Sequence, residues 1–183
     1  MRDVLGPGTV LGYCTNVHAG PDWATTAANL RRHAPAVKSI VSPDAPMGVG
    51  LWLSARTARE LIETDRVGAL RDLLGEHDLL AFTINGFPYG DFHQPVVKHG
   101  VYEPDWSDPR RLAYTMDLVT ILDALLPPGA EGSISTLPIG WPSGDDETAR
   151  LEAAAGELHG LAAHLHELES ESGRLIHVDL EPE

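Results

Sequence analysis

The sequence predicts an α/β chain: a parallel sheet of β/α units curled as in a (β/α)8 TIM-barrel type fold, with about four and a half units present. Three observations predict it. Short apolar runs alternate with longer helical patterns, which is the signature of strands joined by crossover helices. The strand candidates are apolar on one phase and small or polar on the other, whereas central strands of an open, doubly wound sheet are apolar on both. Finally, 183 residues fit one domain but fall short of the roughly 250 of a complete barrel.

In chain order, the first strand candidate is Thr9 to Val17, and the first helix runs from about Trp23 to His33, where Pro35 stops it. Gly48 to Leu53 reads as the second strand. Ser54 then serves as N-cap of one long helix reaching about Glu76. After the third strand candidate, Leu79 to Asn85, a long connection leads to Ser107, the expected cap of the third helix. Pro109 falls in its first turn, and Leu112, Met116, Val119, Leu122 and Leu126 recur at helical spacing until Pro127-Pro128-Gly129. Ser133 to Leu137 is the fourth strand candidate. The fourth helix, from about Asp145 to Ser170, carries the stripe Leu151, Leu158, Leu161, Leu165 and Leu168 and stops at Gly173. Leu175 to Glu181 closes the set as the fifth strand.

The phases matter most for function. Val49, Leu51, Leu53, Leu80, Phe82, Ile84, Ile176, Val178 and Leu180 suit packing against helices. The other phase holds Gly12, Cys14, Asn16 and His18; Gly48, Gly50 and Trp52; Ala81, Thr83 and Asn85; Ser133 and Ser135; and His177, Asp179 and Glu181. On a barrel-type sheet this is the inner face. Inward residues near the C-terminal strand ends build the site, so Asn16, His18, Asn85 and Glu181 are expected to converge on one mouth. The connection from Gly86 to Ser107 is long for a βα loop and carries Tyr89, His93 and Lys98, groups that suit an oxygen-rich or anionic small molecule and a mobile lid.

Composition limits the partners. Thirteen Lys and Arg against 27 Asp and Glu give a formal charge of −14, which opposes nucleic acid and anionic membrane surfaces. With one cysteine there is no intramolecular disulfide, and neither a signal segment nor a membrane span is evident. A cytoplasmic location is expected. There is no phosphate loop, no GxGxxG turn, no His-Glu-x-x-His and no zinc-type cysteine pair.

A set of runs stands out, the Asn-Gly-Phe-Pro-Tyr-Gly and Leu-Glu-Pro-Glu segments being the long ones: Leu11 to His18, Gly48 to Leu53, Asn85-Gly86-Phe87-Pro88-Tyr89-Gly90-Asp91-Phe92-His93, Val97-Lys98, Val101-Tyr102, Pro104-Asp105-Trp106, Ser133 to Pro138, and Asp179-Leu180-Glu181-Pro182-Glu183. With these the chain resembles the EboE metabolite-traffic proteins of the xylose-isomerase-like, or sugar-phosphate isomerase/epimerase, TIM-barrel superfamily. The resemblance covers nearly the whole chain. It implies a divalent metal (Mg, Mn or Zn) at the barrel mouth, held first by a glutamate at the end of the middle strand, and Glu181 is the position that matches. The other ligands are expected from a C-terminal half. A carboxylate in the inward phase also suits proton transfer beside a carbonyl, with Glu183 as the same-phase second choice.

The functional expectation is a metal-dependent isomerase/epimerase-like barrel acting on a sugar-like or polyol metabolite, with Glu181 as catalytic residue and metal ligand. Substrate contacts are expected from Asn16, His18, Asn85, Tyr89, His93 and Lys98. The alternative is a non-catalytic barrel that binds a metabolite and hands it over within a biosynthetic or export pathway. Because the sequence stops on its fifth strand, we expect the N-terminal part of a longer barrel, with another copy or a C-terminal fragment covering the strand 5 edge.

Overall fold

Five strands pair in parallel in the order β1-β2-β3-β4-β5: β1 (Gly12–Cys14), β2 (Met47–Trp52), β3 (Leu79–Asn85), β4 (Glu131–Thr136) and β5 (Leu175–Leu180). The computed structural model describes residues 11–93, 98–141 and 147–182. The expected start of the first strand at Thr9, the fourth-helix start at Asp145, the Lys98 side chain and Glu183 lie outside the described residues.

The connections are helical: α1 (Trp23–Val41), α2 (Ala55–Glu63) with α3 (Val67–Glu76), α4 (Pro109–Leu125) and α5 (Glu147–Ser172). Strands in sequential order with right-handed crossovers put every helix on one face of the sheet. Contacts of α2 with α1 and α4, and of α4 with α3 and α5, agree with a single helix layer. Val49, Leu51, Ile84, Ile134 and Ile176 form the sheet side of the core, and Leu30, Leu61, Leu73, Leu118 and Leu122 form the helix side.

Four local expectations are corrected. The first strand is short, because a 3-10 helix (Thr15–Val17) follows Cys14 at once. Thr15 Oγ1 accepts the Trp52 N–H at 2.8 Å, so a side chain replaces the next backbone rung. Pro35 does not stop α1. Leu30, Ala34, Val37 and Val41 carry the apolar stripe past it onto the core, and that burial outweighs the one helix bond proline removes. The second helix is two, broken at Asp65, whose φ of 53° is tolerated by a short polar side chain. The cap of α4 is Asp108, not Ser107: Asp108 Oδ1 accepts the Arg110 N–H at 2.9 Å, while Ser107 donates its hydroxyl to Asp105.

One phase reading also changes. Val49 pairs with Ala81 and Gly50 with Thr83, so Phe82 is skipped by a bulge. Ahead of the bulge the faces are exchanged relative to a regular strand: Leu79 and Ala81 pack in the core, and Leu80 pairs with Gly48 in the other phase. The Phe82 ring lies over Gly12, 3.5 Å from where a side chain there would begin. Thr83, Ile84 and Asn85 keep the expected sides.

Candidate functional site

The face of the sheet away from the helices carries two rungs in register. Cys14, Gly50, Thr83, Ser133 and His177 pair successively across all five strands. One step nearer the C-terminal ends, Trp52, Asn85, Ser135 and Asp179 form the second. Same-face neighbours on adjacent strands are about 5 Å apart, so the first rung is a continuous row of polar or small groups, and so is the second from Asn85 to Asp179, beyond the buried indole of Trp52. Ser133 Oγ donates to Thr83 Oγ1 at 2.8 Å. His177 Nδ1 lies 3.0 Å from Asp179 Oδ1 and its Nε2 lies 3.4 Å from Glu131 Oε1, so the ring is held between two carboxylates. Asn85 Oδ1 accepts the Phe87 N–H at 3.0 Å, which fixes the carboxamide.

The residues singled out from the sequence divide into separate places. Asn85 sits on the second rung, as the phase requires. Asn16 and His93 meet at one rim, with His93 Nε2 2.9 Å from the Asn16 carbonyl. His93 also packs against Trp52 and Phe92, which leaves the indole 2% exposed. His18 does not join them on the open face. The 3-10 turn carries it over α1, where its ring stacks on His33 with centroids 4.0 Å apart and planes 14° apart, and its Nε2 meets the Tyr13 hydroxyl. Burial first, then the imidazoles of His33 and His93, hold His18 below the usual imidazole value. The cavity beside it, lined by Thr15, Thr26, Asn29 and Trp52 among others, is about 10 Å³, the size of one water, so a metabolite does not fit.

Tyr89 also turns away from the open face. It packs edge-on against Tyr114 at 5.2 Å, with the Arg111 guanidinium 5.6 Å from each ring centroid. Fully buried Arg111 donates to three carbonyls, those of Pro104, Gly86 and Phe87. Desolvation pulls its pKa down to about 10, which still leaves it charged. The expected lid is therefore anchored at both described ends, with Phe87, Tyr102, Asp105 and Trp106 buried.

Glu181 lies at the C-terminal end of β5, its N–H donating to Thr136 O. It lines a cleft of about 400 Å³ together with Pro138, Ile139, Gly140, Arg150 and Leu180. Among the described residues no three His, Cys, Asp or Glu side chains converge to hold a metal ion. The described residues alone therefore do not make up the donor set that would begin at Glu181.

Sequence reasoning passed over His33 and Arg111. His33 stands between Leu30 and Ala34 on an apolar stripe, and Arg111 stands on the buried face of α4 one turn before Tyr114 and Thr115. A polar side chain in a buried stripe was the signal available. Among the described residues no helix is long and apolar enough to cross a membrane. Searches of protein-family models, curated proteins and solved structures each return no match to this chain.

Proposed function

We propose that the chain binds a sugar-like or polyol metabolite on the open face of a barrel-type sheet, at the C-terminal strand ends. The rung of Asn85, Ser135 and Asp179 carries this reading. A carboxamide, a hydroxyl and a carboxylate on three adjacent strands offer both donors and acceptors over roughly 10 Å, two strand spacings, which matches a ligand several hydroxylated carbons long. Behind the rung, Thr83 and Ser133 add two hydroxyls joined by a hydrogen bond, so the polar surface continues one step further along the sheet. The parent activity is then retention and hand-over of the ligand.

A second reading, isomerase or epimerase chemistry, is favoured by Glu181, two residues beyond Asp179 at the same strand end. There its carboxylate takes the proton from the hydroxyl-bearing carbon beside a carbonyl and returns it to the former carbonyl carbon, while the hydroxyl proton passes to the former carbonyl oxygen, which is isomerisation; epimerisation would need a second proton donor on the opposite face of the same carbon.

Titration of the isotope-labelled chain with aldoses, ketoses and polyols, with and without chelator, tests both. Binding predicts shifts at Asn85, Ser135 and Asp179 that survive chelation and weaken in Asn85→Ala. Isomerase chemistry predicts, in addition, solvent deuterium entering the sugar and stopping in Glu181→Gln. Unperturbed rung resonances with every compound overturn the binding site.

A further inference from the structure

Thr26 lies on the buried stripe of α1 with Trp23, Ala27 and Leu30, and is 6% exposed. Its Oγ1 makes no hydrogen bond among the described residues. A helical threonine usually satisfies its hydroxyl on the carbonyl four residues back, as Thr115 does on Arg111 at 3.0 Å and Thr120 does on Met116 at 2.9 Å. The corresponding carbonyl for Thr26 is that of Asp22, and it accepts only the Thr26 N–H. A buried hydroxyl without a partner is costly, so this one calls for a partner that the described side chains do not supply.

Thr26 lines the cavity of about 10 Å³ beside His18 and the Trp52 indole. A Cβ at Gly20 would stand 2.9 Å from Thr26 Oγ1 and 3.1 Å from Trp52 Cζ3, so glycine at that position keeps the space open. The other walls carry hydrogen-bonding capacity that the chain leaves unused. Thr15 Oγ1 accepts the Trp52 N–H at 2.8 Å and still has its own proton to give. Asn29 donates through Nδ2 to the Ala19 carbonyl at 2.7 Å, which leaves Oδ1 to accept. His18 meets Tyr13 through Nε2 and makes no bond through Nδ1 among the described residues. No carboxylate, ammonium or guanidinium lines the cavity.

We infer that this cavity is a binding site for one internal water, held by the hydroxyls of Thr26 and Thr15 and the carboxamide oxygen of Asn29. The volume is that of a single water, and such a water takes two to four polar partners. The set of partners is mixed, and water alone suits it. Water accepts the Thr15 proton, donates to Asn29 Oδ1, bonds Thr26 Oγ1 in either sense, and serves His18 in either tautomer. An ammonium ion only donates and a halide only accepts, while an apolar atom leaves the Thr26 hydroxyl unpaired. The role of the water is positional. It ties α1 to the Thr15–Val17 turn, whose Asn16 carbonyl lies 2.9 Å from His93 Nε2. The inference does not depend on the metabolite reading.

Magnetic resonance on the whole labelled chain tests it. A resident water gives cross-peaks of opposite sign in laboratory-frame and rotating-frame experiments at the Trp52 amide and the Thr26 methyl, whereas fast surface hydration gives one sign. Oxygen-17 relaxation of the solvent, which exchanging hydroxyl protons do not imitate, should count one long-lived water fewer in Thr26→Val than in the parent. Thr26→Val keeps the shape and removes the hydroxyl. The Trp52 peak should vanish in it, and the Trp52 N–H should exchange several-fold faster, as the loss of one buried hydrogen bond gives. Thr26→Ser should restore the water and the slow exchange. A parent without opposite-sign peaks at these groups overturns the site, and so does a long-lived water that Thr26→Val leaves in place. An unchanged Trp52 exchange rate overturns the positional role. A high-resolution crystal structure of the parent needs no variant: density in the cavity within hydrogen-bond reach of Thr26 Oγ1 is expected, and a clean void there overturns the site.

Discussion

The imidazoles of His18 and His33 lie face to face, 4.0 Å apart and 14° from parallel, and join the turn after β1 to the middle of α1. Two protonated rings cannot hold that geometry without repulsion, and His93 adds a third imidazole nearby. Tyr13 meets His18 through its hydroxyl, and Asp91 pairs with His93.

The first prediction is acid lability. The folded His18 binds protons less readily than the unfolded one, so as pH falls through the ordinary imidazole range the unfolded state takes up more protons and stability drops; above that range the penalty vanishes. Urea melts between neutral pH and about pH 5 should show falling midpoints, with a shallower fall in His33→Leu. An equal slope in that variant removes the stacked pair as the cause.

Arg111 predicts a larger effect. Its guanidinium serves the carbonyls of Pro104, Gly86 and Phe87, so Arg111→Met fills the volume but leaves buried acceptors unpaired. A loss of about 3 kcal/mol is expected from denaturant melts, with the segment from Gly86 to Ser107 losing hydrogen-exchange protection before the sheet does. Arg111→Lys should recover only part of it, because an ammonium lacks the planar fork that reaches several carbonyls at once.

How far the sequence revealed this arrangement depended on which interactions were local. Period-2 alternation was sufficient for Thr83, Asn85, Ser133, Ser135, His177 and Asp179, since strand phase is fixed once one face is buried. It failed at Ala81, where a bulge inserts one residue and no sequence signal marks it. It failed at His18 because a single long-range bond, Trp52 N–H to Thr15 Oγ1, ends β1 early and redirects everything after it. The long loop was visible as a long loop. That its two described ends are tied down follows from Arg111, which stands beyond the loop on α4.

Asp22 gives a smaller, cleaner test. Its carboxylate caps α1 by accepting the Thr25 N–H at 2.9 Å, and that bond holds its pKa below the usual carboxylate value. Asp22→Ala should cost about 1 kcal/mol at neutral pH. The cap's contribution is present above the unfolded carboxylate pKa and disappears as pH falls through the lower folded value, so the two proteins should converge in strong acid. A difference that persists there would mean that the cap does not act through its charge.

Gly86 links the sheet to the proposed ligand site. It follows Asn85 directly, and its N–H donates to Ser135 O at 2.7 Å. A Cβ at Gly86 would stand 2.9 Å from that same oxygen and 3.0 Å from Leu118 Cδ1, and a backbone carbonyl held in a strand cannot yield as a side-chain end does. Gly86→Ala should therefore push Asn85 and Ser135 apart, cost roughly 1 to 3 kcal/mol, and weaken polyol binding by more than the stability loss alone explains. Gly90→Ala, where nothing lies within 4 Å of the new carbon, is the matched control and should change neither. If Gly86→Ala loses stability yet binds its polyol as tightly as the parent, the spacing between Asn85 and Ser135 is not what the ligand reads, and the site belongs elsewhere on the open face.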